Sequence, residues 1–558
     1  MSAVGHASPS TTPAWTRIYG LGSIFAKTVR DSRRATIVSA ALLALVFLGV
    51  SRAIVTEFDT PESRVELENI VNAVPPILQG LAGKIVNVGT LGGYLQYKYG
   101  VFFPLVLSLW SILALSGTLA GETQRGSLEF VAATGRSRRR VALEKLSGHV
   151  LMLGLAVLVA FVSIAIAGRS YAVLPGDEIS VLSAFAYSVW LGLLALAAGS
   201  LAFALGPFVG RGASAGIAGF VTFAGFILNG YQAPVPDLAP FANLTWWGWT
   251  SNHVALAGQY DWPSVTLVAV VTVVLLAVGI EAFARRDIGV TTAIPAPSMP
   301  RLLLGLDGPI GRSISTSFGS AIAWGLGIGF FGLALGGSAS GFMDQLANSP
   351  QFIELLESVF PGIDYASAGG FLQLLFVEFG VILAGLAAAT FVAGWASDET
   401  SGRLEMVLAA PLSRRRWAVA GGTGMLVNVG VFVALTATGI GLGVATTGSD
   451  VGTPVLGSLV LGAYAAALIG VGLAVGGLIG TRFAAPVVVV FVTVTWFVQL
   501  LGPLLGLPEP VRQLALTSHY GQTMVGVWDA AGIVASAVLA IGGIAVGAWG
   551  FTRRDLLR

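Results

Sequence analysis

About twelve stretches of this chain are each long and apolar enough to cross a bilayer, and that constrains everything else. A bilayer-crossing helix needs about 20 mostly apolar residues. Such stretches run near 36–56, 100–120, 145–168, 180–206, 212–230 and 263–284, then near 318–338, 370–396, 417–446, 452–480, 483–503 and 529–551. Lipid offers the backbone no hydrogen-bond partner, so stretches of this length and composition are read as helices. Only 10% of the residues are charged, against about 25% in a soluble domain. A net charge of +2 gives no nucleic acid a reason to bind, and with no cysteine the chain has no disulfide, thiolate metal site or cysteine nucleophile. The polar start, 1–13, has no apolar run beside a cleavage site, so no cleaved signal peptide is expected.

The basic residues set the orientation, because cytoplasmic loops hold the excess of Arg and Lys. With twelve spans and the N-terminus inside, only Arg52, Arg64, Lys84, Lys98, Arg169 and Arg512 of the 30 Lys and Arg fall outside. Both termini are therefore expected in the cytoplasm. Trp15, Ile18, Leu21 (or Gly22), Phe25 and Val29 recur at helical spacing among Arg17, Lys27, Arg30 and Arg33, the pattern of a helix lying in the cytoplasmic interface. Trp246, Trp247 and Trp249 read as an aromatic belt on the outer surface.

The chain repeats itself. "GSLEFVAATGRSRRR" (Gly126–Arg140) and "GRLEMVLAAPLSRRR" (Gly402–Arg416) match at nine of fifteen positions, each in the loop after a half's second span. The halves close alike, with "FARRDIG" (Phe283–Gly289) and "FTRRDLL" (Phe551–Leu557). Each half starts and ends inside, so the repeats are parallel about an axis along the membrane normal, and a seam between them is the natural place for a pathway. The expected fold is an all-α integral membrane protein of about twelve transmembrane helices in two parallel six-helix repeats. Its parts are a tail and interfacial helix over 1–35, a first half over 36–290, a Pro- and Gly-rich cytoplasmic linker over 291–317 and a second half over 318–558.

The duplicated loop has the grammar of a short helix. In the second copy Ser397 or Asp398 can cap it, Glu399 sits in its first turn, and Leu404, Val407 and Leu408 share a face. Pro411 stops it, and Ser413 caps the next membrane helix. In the first copy Glu122 opens, Leu128 and Val131 form the face, Gly135 stops it and Ser137 restarts. Orientation alone requires arginines; it does not require Gly-x-Leu-Glu at a spacing kept in both halves. An apolar ridge held below the bilayer is suited to pressing into another protein.

The pattern Glu-x-x-x-Gly-x-Leu-Glu followed by Ser-Arg resembles the first cytoplasmic loop of ABC-2-type (type V) transporter permeases. "LDGPIGRSISTSFGSAIAWGLGIGFFGLALGG" (Leu306–Gly337) is similar to the start of the second half in the fused-half subgroup linked to polyketide and tetronasin antibiotic export. The resemblance implies that each loop helix is a coupling helix seated on an ATP-binding subunit. The contact residues it implies are Glu122, Gly126, Leu128, Glu129 and Arg138 in the first half, and Asp398, Glu399, Gly402, Leu404, Glu405, Pro411 and Arg414 in the second. Gly135-Arg136 stands where the second half has Pro411-Leu412, so the two halves need not grip equally. The interfacial helices resemble elbow helices, a second one falling within 291–317. No Gly-x-x-x-x-Gly-Lys-[Ser/Thr] phosphate cradle is present. The resemblance therefore implies a permease without its own ATPase site, in a bacterial cytoplasmic membrane. Two copies of a separate ATPase subunit would bind the ATP and Mg, and hydrophobic antibiotics or drugs would be exported.

Within the spans, Glu378 is a costly residue in lipid and a functional candidate. It can stay protonated, pair with a polar group across the seam, or reach the outer surface. His149 reads as a packed histidine. Phe220, Phe223, Phe226, Trp496, Phe497 and Gln499 are candidate pathway walls, and core packing explains them equally well. His253 and His519, in equivalent outer loops, have no companion ligands that would make a metal site. The alternative reading is a proton-coupled drug transporter of the major-facilitator type, which shares six-plus-six parallel repeats. Its Asp-Arg-x-Gly-Arg-Arg loop core is missing here, as are the clustered nucleophiles and acids of a membrane enzyme.

Overall fold

Several long apolar helices begin directly after a small polar side chain that caps them. Ser23, Ser137, Ser180, Ser413 and Asp529 each accept a hydrogen bond from a main-chain N–H of the first turn, satisfying a donor the helix itself cannot. The structure is a computed structural model that describes residues 23–73, 78–118, 137–233, 235–285, 300–301, 303–347, 367–501 and 508–555. The chain divides into two compact units, Met1–Ala293 and Ile294–Arg558.

Nine helices among the described residues have the length and composition to span a membrane, and the bent pair Leu91–Gly100 with Phe102–Ser116 makes a tenth. One of the nine, Val181–Tyr231, has 51 residues, or ~77 Å at helical rise against a hydrocarbon core of ~30 Å. It breaks at Gly210, where φ is 80° and ψ is 175°. Trp190, before the break, and Phe226, after it, both pack on Trp247, at 6.5 and 5.5 Å between ring centroids. The two arms therefore fold back side by side as two crossings. With the further apolar helix Thr481–Leu501, the twelve expected crossings are accounted for.

In the first unit these are α1 (Ile24–Glu57), α2 (Phe102–Ser116), α3 (Arg138–Ser170), α4 (181–209), α5 (211–231) and α6 (Trp262–Arg285). In the second they are α7 (Gly308–Gly337), α8 (Ala368–Thr400), α9 (Arg414–Ala445), α10 (Gly452–Leu478), α11 (Thr481–Leu501) and α12 (Ala530–Arg553). The described strands are two antiparallel pairs of residues, β1 (Gly521–Gln522) and β2 (Val527–Trp528). The protein is thus an all-α integral membrane protein.

Each unit packs on its own interior. In the first, Phe47 of α1 lies 5.2 Å from Phe103 of α2 and 5.7 Å from Tyr187 of α4. In the second, α7 lies against α9 so closely that a Cβ on Gly439 would come within 2.0 Å of the Gly329 carbonyl, the small-residue contact typical of membrane helices. Outward faces are left apolar: Val270, Val273 and Val274 on α6 and Val534, Val538 and Ile541 on α12 are all exposed, as lipid-facing helices require. Outside the spans of the first unit, Arg64 and Asp177 form a buried ion pair at 2.8 Å.

Two expectations change. Phe25 and Val29 lie inside α1, whose 34 residues run unbroken from Ile24. Nothing between Asp31 and Thr36 breaks a helix, so this part of the basic stretch extends the first span. Trp15, Ile18 and Leu21 lie outside the described residues. The tryptophans at 246–249 are not an interfacial belt: Trp246 and Trp247 are buried in the bundle, and Trp249 donates to the Asn243 carbonyl at 2.8 Å.

Candidate functional site

The charged loop of the second unit is tied down by four elements. α8 does not stop at Ser397: it carries Asp398 and Glu399 in its last turn, and the short helix Leu404–Leu408 starts only after a turn at Gly402 (φ 73°). Both acids are therefore held by the bundle. Arg312, near the start of α7, grips both oxygens of Asp398 at 3.0 and 3.1 Å. Glu399, 4% exposed, accepts from Thr481 Oγ1 at the head of α11 at 2.7 Å and from the Arg554 guanidinium just past α12. Arg414, at the head of α9, donates to the Arg554 carbonyl at 2.9 Å. Beside these charges Trp395 of α8 stacks on Trp417 of α9 at 4.9 Å, and Phe551 of α12 meets both edge-on.

On this platform the short helix lies with its apolar face inward. Leu404 is 1% exposed, and Val407 and Leu412 line a small groove with Arg312, Trp395 and Trp417. The ridge expected to be presented is thus packed on the bundle. What faces solvent is the other side: Glu405, Met406 at 71% exposure, then Ala409, Ala410 and Pro411, with Gly402 and Arg403 before them. Helical spacing identifies a face but not which way it turns. In the first unit, Glu122, Gly126, Leu128 and Glu129 lie outside the described residues. Arg138 opens α3 directly after the Ser137 cap, the counterpart of Arg414 after Ser413.

At the opposite end of the second unit, three of the bilayer candidates meet. Gln499 Nε2 donates to the Glu378 carboxylate at 3.2 and 3.5 Å, and Trp496 Nε1 donates to the Glu378 carbonyl at 3.0 Å. The Thr517 hydroxyl donates to Gln499 Oε1. A cavity of about 160 Å³ opens here, lined by Gln373, Val377, Glu378, Val381, Val460, Thr517 and residues 520–523. A π-helical segment, Gln373–Val377, interrupts α8 immediately before Glu378, and such bulges recur at functional sites. The side chain of Phe497 lies outside the described residues. In the first unit Phe226 packs on Trp247, while Phe220 is exposed.

The histidines among the described residues are used internally. Ser111 Oγ lies 3.0 Å from His149 Nε2, and Trp110 meets the ring edge-on. His253 Nδ1 accepts from the Asp261 N–H at 3.1 Å, and burial holds its imidazole below the usual range. His519 is in a 2.9 Å contact with the Gln513 carbonyl.

A second duplicated device escaped the reading of the sequence. Gln96 Oε1 accepts from the Leu256 N–H at 3.2 Å, and Gln373 Oε1 accepts from the Met524 N–H at 3.0 Å. Each glutamine closes a capped turn, "TLGGYLQ" (Thr90–Gln96) or "SAGGFLQ" (Ser367–Gln373), and each is followed by a π-helical segment. Thr90 and Ser367 cap these turns, and a Cβ on Gly92 or Gly369 would come within 2.2 or 2.3 Å of the Leu256 or Met524 carbonyl. The recurring Gly-Gly-aromatic-Leu-Gln was the available signal. Gln373→Leu should leave the buried Met524 N–H without an acceptor and cost roughly 1–3 kcal/mol, read as a lower melting temperature of the purified chain. An unshifted melt would count against the latch.

A family model described as the multidrug efflux system permease Rv1217c, C-terminal domain, matches residues 306–552. Along its length the chain is 25% identical to the multidrug efflux system permease protein Rv1217c of Mycobacterium tuberculosis, with 99% of this chain and 97% of that protein covered.

Proposed function

We propose that this chain is the membrane-spanning permease of an ATP-driven, ABC-2-type exporter of hydrophobic drugs. The loop after α8, and its copy after α2, dock separate ATPase subunits, which bind the ATP and Mg. One such chain serves two ATPase copies, with both termini and both loops in the cytoplasm of a bacterial cell. The observation that carries this reading is the build of the second loop: rigid beneath, through Asp398, Glu399 and the Trp395–Trp417–Phe551 cluster, and open above, at Met406. A loop that only anchored helix ends would need neither. The relative's name, a permease of a multidrug efflux system, supports the drug-export part. The Gly-x-Leu-Glu signature takes a structural sense from the same geometry: Gly402 makes the turn, Leu404 seats the helix and Glu405 begins its outer face.

Met406→Asp tests it. Met406 is solvent-exposed, so the variant should accumulate and melt like the parent. A charge placed in an apolar docking surface should reduce ATPase association and export by roughly tenfold or more. Unchanged export and association would overturn the docking assignment. Export that persists in ATP-depleted cells with an intact proton gradient would overturn the ATP-driven reading and favour a facilitator.

A further inference from the structure

The Glu378 cavity has the chemistry of a cation site. Its hydrogen bonds run one way: the Thr517 hydroxyl donates to Gln499, and Gln499 donates to the carboxylate. The carboxyl of Glu378 accepts at the end of this donor chain, and its remaining lone pairs are left for a ligand. Among the described residues no Arg, Lys or His lies within ion-pair distance of it. A lone anion ~15 Å along a membrane helix is costly, and the cost falls when a cation occupies the cavity beside it.

The other walls narrow the choice. Thr523 is buried at the cavity wall, and its hydroxyl has no hydrogen-bond partner among the described residues. Tyr520 lines the cavity with its hydroxyl 2.7 Å from Ser536 Oγ. Burial pushes its phenol up to about 12, so it contributes no second negative charge, and a ring face attracts cations. Val377, Val381 and Val460 are apolar. The cavity's 160 Å³ falls below the roughly 300–1,000 Å³ of drug-sized pockets. It takes a head group and the first carbons behind it.

We propose that this cavity binds the primary or secondary ammonium head of lipophilic amines, held by the Glu378 carboxylate. The proposal deepens the permease reading by naming a substrate class, and rests on that reading only in calling the amine a substrate.

The test uses the full chain in lipid nanodiscs without nucleotide, and two fluorescent probes, dansylcadaverine and its uncharged N-acetyl derivative, followed by anisotropy. The parent should bind the amine roughly ten- to hundredfold more tightly than the acetylated probe, as a charge-assisted hydrogen bond implies. Glu378→Gln should bring that ratio near one, with the acetylated probe unaffected and the melt unchanged; Glu378→Asp should keep a preference. Val377→Phe, which fills the cavity and spares the acid, should weaken amine binding at least tenfold. A parent ratio near one, a ratio unmoved by Glu378→Gln, or amine binding unmoved by Val377→Phe would overturn the site. The assay contains no ATPase, so charge selectivity without ATP-driven export removes the permease reading alone. ATP-driven export without charge selectivity removes the amine site alone.

Discussion

Glu399→Ala should destabilise the protein by roughly 3–5 kcal/mol, because it strands the Arg554 guanidinium without its counter-charge in a mostly buried position. The two side chains are 2% and 14% exposed. The loss is compounded: Thr481 loses its acceptor, and Arg554 loses the partner that positions its carbonyl for Arg414. The expected result is a chain that accumulates poorly in membranes and, when purified, melts well below the parent. The double replacement Glu399→Met with Arg554→Met should recover most of this loss, since a buried ion pair exchanged for packed apolar groups is often neutral or better. If the single variant melts like the parent, the ion pair contributes little and the platform beneath the loop rests on its aromatic cluster. Glu399 lies just before the duplicated loop, so an export assay alone would misread this variant as uncoupled. Met406→Asp, at an exposed position, is free of that confusion.

The second large effect is steric. Gly369→Val should prevent the second unit from closing, because even the Cβ would sit 2.3 Å from the Met524 carbonyl, and the contact is backbone that cannot swing aside. Overpacking a filled interior costs typically 1–3 kcal/mol and more where the backbone must shift. The Gln373–Met524 hydrogen bond lies in the same contact and would go with it. Gly92→Val should do the same in the first unit, where the distance is 2.2 Å. The control is Gly327→Ala in α7, where an added Cβ meets nothing within 4 Å. That change should be neutral or slightly stabilising, by up to about 1 kcal/mol of helix propensity. Expression with a fluorescent C-terminal tag and size-exclusion profiles separates these outcomes. Normal profiles for Gly369→Val would remove the close-approach argument.

These two sites show where the sequence was informative. The crossings were legible because length and hydropathy determine them, and the caps at Ser137 and Ser413 because Ser-Arg-Arg-Arg at the head of an apolar run has few other uses. The direction of the loop helix was not legible. Leu404 and Met406 are both apolar and two residues apart, and only the way the short helix packs on the bundle decides which is covered. The closing Arg-Arg-Asp was visible as a repeat, yet its use was not, because Arg554 meets Glu399 across 155 residues of sequence. Glu378 and Gln499 could be singled out separately by their polarity. That they touch depends on how α11 lies against α8.

The paired turns "TLGGYLQ" and "SAGGFLQ" align Gln96 with Gln373, and five residues on they align Val101 with Glu378. A permease assembled from two identical half-length chains would carry an acid at both positions or at neither. Carrying both halves in one chain removes that restriction. One copy could lose or gain a charge while the other kept the scaffold, so any passenger that docks on Glu378 meets a single station per molecule, and stoichiometric titration should saturate at one equivalent.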